Sequence, residues 1–273
     1  MNAIYIAVFS VTAIGIFCAA VLSVASKFMN VKNDERVAEI EECLPGLNCG
    51  ACGYPGCAGY AAALLSGGKT NLCSPGGGEV IKKISAILGV EAASVERKIA
   101  VVHCLGSDKT QRKKMDYSGI RTCEAAKQLF GGEGACAFGC LGYGDCLKVC
   151  PNKAICLEDS LAHIRPDLCM GCGLCVMTCP NKLITVESAK IPVSVLCSNV
   201  EKGAVTRKKC SSGCIGDGKC ARICLSGAIL IENNLAKIDY SKCVGCTRCS
   251  DICTIHCIKP NAGGGRQGAA GGA

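Results

Sequence analysis

Residues Cys169–Pro180 read CMGCGLCVMTCP, with Cys169, Cys172, Cys175 and Cys179 separated by gaps of two, two and three and closed by Pro180. That spacing holds iron–sulfur cubanes in pairs: three closely spaced thiolates grip one cubane and the fourth reaches across to its neighbour. Zinc asks for two Cys-x2-Cys hairpins closing one tetrahedron, and a third cysteine so near a hairpin is surplus to that need. A partner run lies just upstream. Cys136, Cys140, Cys146 and Cys150 have looser gaps of three, five and three, and again end on a proline, Pro151. Crossing the fourth ligands predicts one cluster on Cys136, Cys140, Cys146 and Cys179 and another on Cys169, Cys172, Cys175 and Cys150.

The arrangement recurs. Cys210, Cys214, Cys220, Cys224, Cys243, Cys246, Cys249 and Cys253 each fall 74 positions after a counterpart. A duplication that keeps eight thiols while most other side chains change marks a repeated metal site. It predicts clusters on Cys210, Cys214, Cys220 and Cys253 and on Cys243, Cys246, Cys249 and Cys224. The closing prolines are replaced there by Leu225 and Thr254, and Cys257 stands as a rival to Cys253. Ala154–Glu158 and Ala162–Ile164 read as a hairpin turning at Asp159-Ser160, and Ala228–Glu232 and Leu235–Ile238 repeat it around Asn233-Asn234, where positive φ is tolerated. The predicted fold class is α+β: two tandem ferredoxin-like units whose small apolar cores lean on the clusters themselves.

A fifth site lies upstream in Cys49-x2-Cys52-x4-Cys57-x15-Cys73. Gly50, Gly53 and Gly56 let the backbone wrap closely there, and a helix is expected from Cys57 to Ser66. Four cysteines at these gaps also suit a single zinc ion. Of the 27 cysteines, Cys18, Cys43, Cys104, Cys123, Cys156, Cys197 and Cys257 remain unassigned. Buried free thiols are one reading, and a sixth cluster using Cys104, Cys123 or Cys197 is the other. Cys123 and Cys197 share the 74-residue spacing. His103, His163 and His256 read as surface or packed residues.

Residues 1–28 read as a single transmembrane anchor. Ile4 to Ala25 are almost wholly apolar and span a hydrocarbon core of roughly 30 Å. Lys27, Lys32 and Arg36 follow it, which places the cluster-bearing bulk on the cytoplasmic side of the cell (inner) membrane, where disulfides do not persist. Boundaries are expected at 29–78 for the four-Cys module, 79–132 for a connecting α/β segment, 133–188 and 189–262 for the two ferredoxin-like units, and 263–273 for a disordered Gly/Ala tail. In the connecting stretches Asp34 reads as a helix cap, Pro75–Gly78 as a flexible break, Val80 to Leu88 as an amphipathic helix and Ile99 to Val102 as a strand.

The formal charge of +8 counts thiols as neutral. A filled cubane with its four thiolates carries about −2, so five bring the chain to about −2, and nucleic acid is a poor partner. Basic runs remain at Lys109, Arg112, Lys113, Lys114 and at Arg207, Lys208, Lys209, suited to an acidic protein partner or to plain solvation. Gly142-x-Gly144 and its copy Gly216-x-Gly218 lack a helix-opening third glycine, and Cys-x2-Cys-His is missing, so neither a nucleotide loop nor a c-type haem is indicated.

The single amino-terminal helix, LPGLNCGACGYPGC (Leu44–Cys57) with distal Cys73, and GCLGYGDC (Gly139–Cys146) before the ferredoxin runs together resemble the RnfB family, the iron–sulfur B subunit of the Rnf complex. The resemblance implies about five [4Fe-4S] clusters, with no flavin or haem on this chain and no catalytic residue of its own. It also implies electron relay from soluble ferredoxin toward membrane and NAD/flavin-binding subunits of an ion-pumping ferredoxin:NAD oxidoreductase. Two rivals stay open: a tethered polyferredoxin serving another dehydrogenase or a corrinoid-activating system, and a metal-binding scaffold without redox turnover.

Overall fold

Helix α1 (Asn2–Phe28) contains Ile4–Val24, a stretch long and apolar enough to cross a bilayer, with Ile4, Phe9, Phe17 and Leu22 all exposed. The computed structural model describes residues 2–28, 35–92, 94 and 96–261. The expected Asp34 cap, Lys32 and the Gly/Ala tail 263–273 lie outside the described residues.

Three short helices form the next module: α2 (Glu35–Cys43), α3 (Cys57–Leu65) and α4 (Gly77–Leu88). Their apolar faces meet in a core of Ile40, Leu44, Tyr60, Ala61, Leu64 and Ile84. Helix α3 covers the expected span, and α4 ends at Gly89, whose φ of 66° is the left-handed stop glycine adopts freely. The Pro75–Gly78 break is not a loop throughout, because α4 starts at Gly77. A side chain on Gly76 would meet Val80 at 2.8 Å and the Cys73 sulfur at 3.1 Å, so glycine serves close approach here.

The two repeats share one plan. In the first, β1 (Lys98–Val102) pairs antiparallel with β4 (Ile184–Ser188), from Lys98↔Ser188 to Val102↔Ile184. Between them run α5 (Cys123–Gln128), α6 (Asp145–Lys148), the β2 (Ile155–Glu158) and β3 (Leu161–Ile164) hairpin, and α7 (Leu174–Thr178). In the second, β5 (Val193–Val195) pairs with β8 (Ile258–Pro260), enclosing α8 (Gly203–Lys209), α9 (Lys219–Ile223), the β6 (Ile229–Glu232) and β7 (Leu235–Ile238) hairpin, and α10 (Arg248–Ile252). Both hairpins turn on two residues of positive φ, Asp159 and Ser160 at 47° and 60°, Asn233 and Asn234 at 50° and 62°, as a two-residue turn matched to strand twist demands.

Because β1 closes on β4, the first unit takes in the Lys98–Val102 strand, which sequence alone left in a connecting segment. The same pairing corrects an equivalence. Cys104 follows β1 as Cys197 follows β5, so Cys197 matches Cys104 and not Cys123, which lies in an insertion that only the first unit carries.

The units are stitched along one seam. Arg112 N–H donates to Lys209 O (2.9 Å), Ser211 N–H to Thr110 O (2.9 Å), and Ser198 Oγ to His103 O (3.0 Å). His103 packs into this seam as a partnered residue, its Nδ1 2.8 Å from Val195 O and its Nε2 3.3 Å from Glu187. Burial works against a charge on His103, but the hydrogen bonds to Glu187 and to the Val195 carbonyl outweigh it and raise its pKa.

Candidate metal centres

In the four-Cys module, Gly56 at φ 99° hands the chain to α3, and Asn48 Oδ1 accepts from Cys57 N–H at 2.7 Å. Tyr60, 1% exposed, donates its hydroxyl to Lys69 O (2.8 Å) and accepts from Leu72 N–H (3.3 Å), which pins the loop carrying Cys73. Burial raises the Cys73 pKa, and the nearby thiols Cys57, Cys52 and Cys49 raise it further.

In the first repeat, Cys150, Cys169, Cys172 and Cys175 line one small cavity of about 20 Å3. Backbone N–H groups point at its sulfurs, Ala100 to Cys169 and Ala154 to Cys150, each at 3.3 Å. A second small cavity, also of about 20 Å3, is lined by Cys140, Cys146, Cys179 and Cys123. Leu183 N–H donates to Cys179 there at 3.4 Å. Cys123 had no assigned role in the sequence. It stands at the start of α5, its N–H held by Asp145 Oδ2 at 2.7 Å, and fills the corner left by the five-residue gap between Cys140 and Cys146.

Cys136 lies elsewhere. With Cys104, Cys197 and Cys210 it lines a small cavity of about 20 Å3 on the seam between the repeats. In the second repeat the place beside Cys214 and Cys253 is taken by Cys257, whose sulfur lies 3.6 Å from that of Cys253. Position 257 corresponds to Leu183 of the first repeat, which lines the matching cavity. Cys220 feels the charge of both Cys214 and Cys253, and Cys249 that of Cys243 and Cys246, with Cys224 packed on the same core. Of the twenty expected ligand cysteines, Cys136 and Cys210 line a cavity with Cys104 and Cys197 that includes none of the partners expected for them. The signal for Cys257 was its nearness to Cys253. For Cys123 and Cys104 the gaps carried none.

Burial pushes the thiols of Cys104 and Cys146 up to about 12, and those of Cys175, Cys220 and Cys249 to about 11. Hydrogen bonds from Cys257 pull Cys253 down to about 5 and Cys214 to about 6, and the Cys257 proton is held correspondingly tightly. Clustered buried thiols resist ionising together unless a cation compensates, which iron does while releasing their protons. Among the described residues no three such side chains converge as a single ion requires. The sulfur-lined cavities, with their inward N–H donors, offer the donor set that cubanes take.

Residues 44–75 match the family described as "Putative Fe-S cluster", and residues 132–190 match the LdpA Fe-S cluster-binding domain. Over 260 residues the chain is 38% identical to the B subunit of the Na+-translocating ferredoxin:NAD+ oxidoreductase complex of Acetobacterium woodii, covering 94% of this chain and 78% of that one. It is 38% identical to the B subunit of the ion-translocating oxidoreductase complex of Methanosarcina acetivorans over 90% of this chain and 94% of that one. The chain belongs to the RnfB family of ion-translocating oxidoreductase complexes. A third relative, the B subunit of the proton-translocating ferredoxin:NAD+ oxidoreductase complex of Clostridium ljungdahlii, is 37% identical over 95% of this chain and 93% of that one. As a member of that family, the protein is an iron–sulfur component of a multi-subunit oxidoreductase complex, and the two matched segments hold its four-Cys module and most of its first repeat.

Proposed function

We propose that this RnfB-family protein, anchored in the cell membrane by α1 with its cysteine-rich bulk on the cytoplasmic side, accepts electrons from reduced ferredoxin and relays them within an ion-pumping ferredoxin:NAD oxidoreductase. The thiol sets on Cys49, Cys52, Cys57 and Cys73, on Cys150, Cys169, Cys172 and Cys175, on Cys123, Cys140, Cys146 and Cys179, on Cys214, Cys220, Cys253 and Cys257, and on Cys224, Cys243, Cys246 and Cys249 hold [4Fe-4S] clusters. When bound, such clusters supply one-electron oxidation and reduction with no bond made to the protein's substrates.

The observation that carries the reading is continuity. Cys146 and Cys175 share one buried core, which joins the two sets inside the first repeat, and Cys49 lies near enough to Cys172 to add to the rise in that thiol's pKa that burial causes. Inward N–H groups stabilise negative charge on sulfur, and the apolar shell of Ile155, Leu161, Leu183 and Ile184 keeps water back. The two basic runs meet on the seam, where Arg112 N–H donates to Lys209 O. Three of their cations are held by carboxylates (Lys109 by Asp159, Lys113 by Glu133, Lys209 by Glu201). Steering of an acidic ferredoxin therefore rests on Arg112, Lys114, Arg207 and Lys208 and weakens with salt.

The test is anaerobic mixing of the oxidised full-length chain with substoichiometric reduced ferredoxin, following the visible absorbance of each. Transfer within the mixing experiment, slowed by salt, is the expected result. A ferredoxin that stays reduced beside an iron-loaded chain refutes the relay.

A further inference from the structure

The geometry points to a sixth iron–sulfur site, held by Cys104, Cys136, Cys197 and Cys210 at the junction of the two repeats. It rests on the iron–sulfur reading above and adds a link which that reading lacks. Without it, that reading names no carrier between the sets on Cys123, Cys140, Cys146 and Cys179 and on Cys214, Cys220, Cys253 and Cys257, whose Cys140 and Cys214 both adjoin the seam.

All four cysteines line the same small cavity of about 20 Å3, with Leu105, Phe138 and Leu196 around them. Gly106 separates two of them, since a side chain there would stand 3.5 Å from the Cys104 sulfur and 3.6 Å from that of Cys210. Four thiols turned to one cavity give the all-sulfur donor set of a cubane.

The surroundings repeat on both sides. The Cys104 sulfur accepts from the N–H groups of Gly106 and Cys140, each at 3.3 Å. The Cys197 sulfur accepts from Asn199 N–H at 3.5 Å and Cys214 N–H at 3.3 Å. Cys136 accepts from the Asn199 side-chain amide at 3.4 Å, and Asn199 is 1% exposed. Each repeat thus gives two ligands, one from the end of its first strand and one from the start of its cysteine run. In each, the N–H of the flanking unit's own ligand residue, Cys140 or Cys214, bonds directly to a junction sulfur. Those bonds make short through-protein links from the junction to both neighbours. The assignment also closes the inventory, because six sets of four leave only Cys18, Cys43 and Cys156 of the 27 cysteines.

The test is iron and acid-labile sulfide per chain on the full-length protein prepared without oxygen. The unaltered chain is expected to hold about 24 of each, against about 20 for five clusters. Paired Cys104→Ala and Cys197→Ala remove about 4 irons under this inference and none if those thiols are free. Paired Cys136→Ala and Cys210→Ala also remove about 4, whereas they remove about 8 if each belongs to a different ferredoxin-type cluster. Cys43→Ala with Cys156→Ala serves as the control and changes nothing. An unaltered chain at about 20 irons with the first pair silent overturns the junction site and leaves the relay standing. A chain with almost no iron overturns the relay itself. Should a paired variant fail to accumulate, the count on the unaltered chain decides alone.

Discussion

Replacing Gly142 by alanine tests how closely each cysteine run is pressed against its hairpin. Gly142 has φ 78°, and a Cβ there would stand 2.6 Å from the Ser160 carbonyl oxygen and 2.8 Å from the Ser160 Cβ. The left-handed backbone alone costs an alanine about 1–2 kcal/mol, and forcing atoms into a filled contact adds about 1–3 kcal/mol. Gly173 is the internal comparison: its φ is 79° with nothing within 4 Å of the added Cβ, so only the backbone cost applies. For a unit of this size each kcal/mol moves the unfolding midpoint by about 4–8 °C. Anaerobic thermal ramps of the iron-loaded protein, read by loss of cluster absorbance, should put Gly173→Ala about 4–16 °C below the parent. Gly142→Ala should fall about 4–24 °C further. Gly216→Ala, facing Asn234 O at 2.6 Å in the second repeat, should match Gly142→Ala. Equal shifts for Gly142→Ala and Gly173→Ala would refute the close approach of run and hairpin.

Thr247 holds φ 59° where the first repeat has Gly173, so Thr247→Gly should raise the midpoint, by about 1 kcal/mol of relieved strain, in the same ramp. Tyr60→Phe leaves Lys69 O without its donor and Leu72 N–H without its acceptor. A loss of about 1–3 kcal/mol is expected, seen as faster iron release to a chelator from the four-Cys module than from the repeats. The His103–Glu187 pair makes the seam pH-sensitive. Burial opposes the Glu187 charge, but hydrogen bonds from His103, Thr185 and Ser194 outweigh it and lower its pKa, while that of His103 is raised above 6.5. The lowered carboxylate stabilises above its unfolded pKa and the raised imidazole below its own, so the pair's contribution is present near pH 6 and fades as pH rises through the folded His103 value. Glu187→Gln should flatten the midpoint between about pH 6 and 8.5, and an unchanged slope would count against the pair.

The repeats announced themselves because a metal-binding unit tolerates change almost everywhere but at its thiols, so eight repeated intervals stood out and both hairpins could be placed to within a residue. Helix α3 was legible from its run of alanine and leucine between a positive-φ glycine and Gly67. The closing strands were not. β1 and β4 are five-residue segments far apart in the chain, and their pairing is settled by burial of Ile99 and Ile184 rather than by a local pattern. The same long-range closure delivers Cys104 and Cys197 to the seam, and an insertion present in one repeat hides their equivalence. A constant spacing then made Cys123 and Cys197 look like partners, when folding sends them to different cavities.

Whether electrons pass through this chain is tested most directly by rapid freeze-quench paramagnetic spectroscopy of the whole complex given reduced ferredoxin with NAD withheld. Signals of reduced [4Fe-4S] clusters assigned to this protein should appear first and then drain when NAD is added. Reduction of NAD while those clusters stay oxidised throughout would contradict the relay.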